Sequence, residues 1–73
     1  MPIIEVRSDI TATVWKVLKS PGDRAEEDEP IAILESMKME IPVASPEAGV
    51  IKEILVKEGE TVAEGAVVVR VEV

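Results

Sequence analysis

A lysine between two methionines, Met37-Lys38-Met39, with Glu35 and Glu40 outside them, is the segment of this sequence best suited to chemistry. A lysine amine can attack an acyl carbon of a substrate, or it can be the acceptor for an enzyme that brings one. A lysine amine in water has a pKa of about 10.4, so roughly one in 2,500 is unprotonated at neutral pH. Lowering that value takes burial or neighbouring positive charge. This segment offers carboxylates instead, and they favour the charged form. It is a poor nucleophile by itself and a suitable acceptor where another enzyme supplies the base and an activated acyl group. Acylation would remove the charge and hang the acyl group on a flexible stem. An exposed lysine is ordinarily no more than a solvated charge. Its place at a strand-to-strand bend, the two methionines and the bracketing glutamates set this one apart. Methionine usually fills gaps in a core, and residues two apart on a strand share a face. At a turn tip there is little core to fill, so Met37 and Met39 are expected to be partly exposed and available for recognition by a partner, with Glu35 and Glu40 steering it.

Little else in the chain could do chemistry. There is no cysteine and no histidine among the 73 residues, so disulfides, thiolate chemistry and the commonest general base and metal ligand are excluded. No catalytic residue and no metal site is expected. Net charge is −7, from 15 acidic and 8 basic residues. Such a field repels phosphate backbones and anionic membrane, keeps a small domain soluble, and suits a basic partner surface. The start, Met-Pro-Ile-Ile-Glu-Val-Arg, is no signal segment, and no stretch is long enough to cross a membrane. A cytoplasmic protein with neither nucleic-acid nor membrane partners is expected.

The elements that must position Lys38 are strands. The chain holds 12 Val and 8 Ile against one Trp and no Phe or Tyr, and branched side chains favour a pleated surface. Strand-like runs lie near 3–7, 13–19, 30–35, 39–44, 50–57 and 66–73, with short linking strands near 24–26 and 61–63. Between them stand turn signals at Ser20-Pro21-Gly22-Asp23, Ser45-Pro46-Glu47-Ala48-Gly49 and Glu58-Gly59-Glu60, and the acidic run 26–29 reads as a solvated turn. No helical periodicity is found. Residues 1–73 form one small all-β domain with a thin core, a sandwich or barrel.

The chain is also a repeat. An offset of 37 residues places Leu18 on Leu55, Gly22 on Gly59, Asp23 on Glu60, Ser8 on Ser45 and Glu35 on Glu72. Two copies are too few for a solenoid but can pack face to face around a dyad. All four glycines fall in turns on this reading. Asp28 faces Gly65 and could hold a left-handed turn; Ala12 faces Gly49 and could not do so cheaply. Pro30, Pro42 and Pro46 belong at strand starts, edges or bulges. Under the symmetry Lys38 faces Met1, so the lysine crowns a continuous hairpin at one end and the open chain ends lie at the other.

Glu35-Ser36-Met37-Lys38-Met39-Glu40, the Gly22-Asp23 signature with its echo at Gly59-Glu60, and Ala48-Gly49-Val50 together resemble the biotinyl domains, the biotin carboxyl carrier family, over essentially the whole chain. Lipoyl domains share the fold but usually carry Asp-Lys at the tip without two methionines. The short length is similar to stand-alone biotin/lipoyl attachment proteins. The resemblance implies a flattened β-barrel or sandwich of two four-stranded antiparallel sheets with quasi-twofold symmetry. It implies biotin joined to Lys38 by a biotin protein ligase, and carboxyl transfer between a biotin carboxylase and a carboxyltransferase. The chain departs from the family pattern at Ser36, where many members have alanine, and at Asp28, where glycine is expected. Among these 73 residues there is no Ala/Pro-rich linker, and no protruding insertion is expected to interrupt the repeat. A lipoyl carrier of an acyl-transfer complex and an unmodified β interaction module are the competing readings.

Overall fold

Val and Ile alternate with polar residues through much of the chain. In the computed structural model, which describes residues 2–73, they form eight strands and no helix: β1 Ile3–Arg7, β2 Ala12–Val17, β3 Arg24–Ala25, β4 Pro30–Ser36, β5 Met39–Ala44, β6 Gly49–Ile54, β7 Thr61–Val62 and β8 Val67–Glu72. These make two four-stranded sheets, in the orders β1-β8-β6-β3 and β5-β4-β2-β7, with every pairing antiparallel. The expected sandwich or flattened barrel is what forms. Strand ends differ from the sequence reading by a few residues: β2 ends at Val17 and β6 at Ile54, although the next N–H of each, Leu18 and Leu55, still donates to Ile31 and Val68.

The 37-residue repeat is a structural dyad. The Gly22 N–H donates to the Ile51 carbonyl at 2.7 Å, and its counterpart Gly59 donates to Val14 at 2.8 Å. The Ile51 N–H returns to the Asp23 carbonyl at 2.8 Å, and Val14 to Glu60 at 2.7 Å. Each half-repeat thus supplies a turn whose backbone is satisfied by the other half's strand. The paired serines do the same at the corners. Ser8 and Ser45 are buried, and each hydroxyl donates to the carbonyl two residues on, Ile10 and Glu47 respectively. Their own carbonyls accept the N–H of Gly65 at 2.7 Å and of Asp28 at 3.0 Å. Those two donors are dyad counterparts with φ of +85° and +63°, so Asp28 does hold the turn that glycine holds in the other copy. The counterpart expected for Lys38, Met1, lies outside the described residues. Beside it, the Val73 N–H donates to the Pro2 carbonyl at 3.0 Å, in the position that the Ser36–Met39 pair takes in the tip hairpin.

The core interlocks the two sheets. One cluster holds Val14, Ala32, Leu34, Val43 and Val62 from the β5-β4-β2-β7 sheet together with Val68 of β8. The other holds Ala25, Ile51, Val69 and Val71 together with Ile31 of β4. Ile31 and Val68 are dyad counterparts. Each is the residue skipped by a register shift, in β4–β5 and β1–β8 respectively. A bulge bends its strand locally, and here it sends one aliphatic side chain from each sheet into the opposite cluster. The prolines lie where a missing donor is tolerated: Pro30 opens β4 at its bulge, Pro42 sits on edge strand β5, and Pro46 lies in the loop after it. The acidic run 26–29 is a turn, fixed by Glu29. Its carboxylate accepts the Glu26 N–H at 3.0 Å and meets the Lys19 ammonium at 3.2 Å. Those two contacts, the backbone one first, hold it below the ordinary carboxylate range.

Gly49 corrects the sequence reading. It is not a turn glycine but the first residue of β6. Its absence of a side chain matters because a Cβ there would overlap the Glu72 carbonyl oxygen and lie 2.9 Å from Val71 Cγ1. Overpacking of a filled site costs about 1–3 kcal/mol. Gly49→Ala is expected to lower the urea midpoint by an amount in that range with the m-value unchanged. Ala12→Gly at the dyad counterpart should cost no more than about 1 kcal/mol.

Candidate functional site

Ser36 pairs with Met39 across β4 and β5, leaving Met37 and Lys38 as a two-residue loop. Both have positive φ, +51° and +67°, the signature of a type I′ turn. That turn matches the twist of the flanking strands and ordinarily carries Asn-Gly, because both central residues are left-handed. A residue with a Cβ in this region costs about 1–2 kcal/mol. Met-Lys therefore holds the tightest hairpin connection against its own backbone preference. Strain of this kind concentrates at functional sites. Its geometric result is that nothing but the turn itself surrounds the lysine.

The side chains follow. Leu34 and Ile41 are opposed and face the core, Glu35 and Glu40 are opposed on the outer face, and Ser36 and Met39 return to the inner side. The core ends at the Leu34–Ile41 level, so Met39 shares the inward face of Ile41 and Val43 and is nevertheless 60% exposed. Met37, in the loop, is 91% exposed. Lys38 is exposed as well. Methionine is usually a core filler, and two of them bared on one hairpin is the opposite usage. Among the described residues, no ion pair joins Lys38, Glu35 or Glu40 to an opposite charge. Glu35 and Glu40 face each other directly, an arrangement unfavourable in a sheet, so the outer face of the hairpin stem carries two adjacent negative charges without an ion pair among the described residues.

All five residues singled out in the sequence thus lie together: Lys38 and Met37 in the loop, Met39, Glu35 and Glu40 on its stems. The reading of the sequence passed over two features. The left-handed backbone of Met37 and Lys38 has no local signal, since neither residue type favours it. Trp15 is the second, the lone aromatic of the chain. It lies on β2 at a register shift between Val14 and Lys16, is 44% exposed, and sits on the same sheet as the tip. Its composition signal was available: one indole in a chain with no other aromatic.

This arrangement can present one amine, unburied and on a rigid support, to a catalyst that comes from outside. Among the described residues no group of three or more acidic side chains could hold a metal ion.

The chain is similar to known proteins over most of its length. The biotin/lipoyl family model, described as "Biotin-requiring enzyme", matches residues 3–71. A biotin/lipoyl attachment protein of Bacillus subtilis is 45% identical over 62 residues, which is 85% of each chain. A probable dihydrolipoyllysine-residue succinyltransferase component of the 2-oxoglutarate dehydrogenase complex from Schizosaccharomyces pombe is 46% identical over 61 residues, 84% of this chain but 13% of that one. The crystal structure of urea carboxylase from Kluyveromyces lactis superposes with a TM-score of 0.92 at 29% identity, covering 99% of this chain and 6% of that one.

If Met37 and Lys38 are strained, relieving them should stabilise the fold. The double substitution Met37→Asn, Lys38→Gly is expected to raise the urea midpoint, by about 1–2 kcal/mol in unfolding free energy, while removing the amine. A midpoint at or below that of the wild type would show that the turn is not strained.

Proposed function

The chain belongs to the biotin/lipoyl attachment family and is a carrier rather than a catalyst, and from that premise we propose that it carries biotin on Lys38. The observation that carries this reading is the bare amine at the crest of a type I′ turn between two exposed methionines. The tip fits a covalently held group: the amine is free of ion pairs among the described residues, and its neighbours are uncovered, so a loading enzyme meets no obstruction. A biotin protein ligase would supply biotin as an activated acyl group and a base for the ammonium proton. Amide formation there exchanges an ammonium for a neutral amide on a long flexible stem. When attached, biotin supplies the ring nitrogen that accepts and releases a carboxyl group.

The work of this chain is then positional. A tethered group visits its active sites at an effective concentration in the millimolar range, while the protein supplies orientation and the cofactor the chemistry. A biotin carboxylase and a carboxyltransferase are the partners this reading implies, in the cytoplasm. The rigid hairpin keeps Lys38 out of its own barrel. Met37 and Met39 offer the apolar contact by which a partner tells this lysine from the others, and Glu35 and Glu40 supply attraction for a basic rim. The likeness to dihydrolipoyllysine-residue components keeps a lipoyl carrier as the second reading. The flanking methionines favour biotin.

Incubation with a biotin ligase, biotin and ATP should add one biotin mass to the wild-type chain. Lys38→Arg and Lys38→Ala should add none. Incorporation in those variants would make another lysine the acceptor, and a lipoyl adduct without a biotin adduct after co-expression with both ligases would replace this reading with the second. Met39→Leu should slow loading while leaving stability within about 0.5 kcal/mol, as for other exposed sites. Reversal of both charges, Glu35→Lys with Glu40→Lys, should lower kcat/KM for loading and abolish its sensitivity to salt.

A further inference from the structure

The dyad gives each outer-face residue a counterpart on the other sheet, so the two faces can be compared position by position. On the sheet without the tip, the middle of the outer face is the cross-strand row Glu5, Arg70, Glu53. It is closed by charge: Arg70 Nε lies 3.1 Å from Glu5 and Nη1 2.7 Å from Glu53. Hydrogen bonds to Glu5 and then Glu53 also raise the guanidinium pKa. The counterparts on the tip-bearing sheet are Pro42, Ile33 and Lys16. They form no ion pair among the described residues. Trp15 joins them, because the register shift in β2 sets Trp15 and Lys16 together opposite Ile33. The Lys16 ammonium lies 5.7 Å from the indole centroid. The counterpart of Trp15 is Lys52, whose ammonium reaches Glu72 at 4.0 Å.

One row nearer the tip, Glu40, Glu35, Thr13 and Thr61 stand side by side. The counterpart of Glu35 is Glu72, which has Lys52; Glu35 and Glu40 have no cation among the described residues. Starting at Lys38, the outer face of this sheet therefore runs from two bare carboxylates to an apolar plate of Ile33, Pro42 and Trp15. On the opposite face, among the described residues, the corresponding carboxylate Glu72 is paired with Lys52 and stands between the exposed Ile3 and Val50, and the row beyond it is the Glu5–Arg70–Glu53 ion-pair row rather than an apolar one.

We propose that this plate is the second half of the docking surface for the enzyme that loads Lys38, a biotin protein ligase that sets basic side chains on Glu35 and Glu40 and buries Trp15 against an apolar patch of its own. The proposal rests on the reading of Lys38 as a biotin acceptor and extends it from the hairpin to the sheet. Charge complementarity selects the occupant. Two opposed carboxylates without a cation call for a basic partner, and a second copy of this chain, at a net charge of −7, would bring like charges together. Tryptophan is among the residues that contribute most when buried at an interface, and bulges commonly re-aim a side chain beside a functional site. Continuity with the tip follows from register, since the Ile33–Pro42 pair is two residues from the Glu35–Glu40 pair on the same face of the same two strands.

The experiment is steady-state loading with a purified bacterial biotin protein ligase, varying the concentration of the carrier. Trp15→Ala and Pro42→Ser are compared with Lys52→Ala, the dyad control, each with its urea midpoint measured. Docking on the plate predicts that the carrier KM rises about tenfold in Trp15→Ala, the equivalent of about 1.4 kcal/mol, and several-fold in Pro42→Ser. It predicts kcat within about twofold for both, and Lys52→Ala unchanged. Wild-type KM in both folded variants overturns the plate as a docking surface and leaves the biotin reading intact. Should Trp15→Ala fail to fold, Pro42→Ser decides by the same criterion. An equal rise in Lys52→Ala also overturns the proposal, because the effect would not be confined to this face. A wild-type chain that gains no biotin mass overturns the parent reading, and this one with it.

Discussion

Backbone hydrogen bonds exchanged between the two half-repeats close this barrel, and the presentation of Lys38 depends on that closure. The turn at Gly22 is satisfied by β6 and the turn at Gly59 by β2. Each turn is closed locally, Asp23 to Ser20 and Glu60 to Lys57, but its glycine N–H and the carbonyl of the next residue are satisfied only by the other half. In a chain of 73 residues without cysteine, where a single core leaves little stability to spare, this reciprocity takes the place of a covalent staple. The exchanged side chains Ile31 and Val68 add the apolar version of the same lock. On a stem fixed in this way the β4–β5 pairing continues two residue pairs past the last core level, Glu35–Glu40 and Ser36–Met39.

The tip spends part of that stability. Two non-glycine residues in left-handed conformation and a pair of opposed carboxylates are each unfavourable locally, and they occur within six consecutive residues. Their concentration at one end of an otherwise well-satisfied molecule (no buried side-chain polar atom lacks a partner among the described residues) marks where selection for a task outweighs selection for stability.

Much of this was legible in the sequence, for identifiable reasons. β-Branched composition and turn residues gave the strands, and the 37-residue offset predicted the dyad because glycines and serines at turns and corners must recur with the geometry they serve. Asp28 was readable as a left-handed residue since its type tolerates that region. Gly49 was not readable: a glycine needed for closeness to another strand looks the same as one needed for a turn. The backbone at Met37 and Lys38 was hidden for the opposite reason, since the residues there are the wrong ones for the conformation and tertiary closure imposes it. The outer-face asymmetry was hidden too. Periodicity says that Ile33, Pro42 and Lys16 face away from the core, but only register places them side by side and opposite the ion-paired row of the other sheet.

The dyad also fixes where any attached segment must leave. The Pro2–Val73 bond takes the place in one half that the Ser36–Met39 pair takes in the other, and β6 runs from Glu72 at one pole toward the turn that meets Val14 at the other. A hinge at residues 2 or 73 therefore sits at the pole away from Lys38. A segment joined there would hold the domain by the end opposite the amine, so that the length of the barrel adds to the reach of the lysine stem.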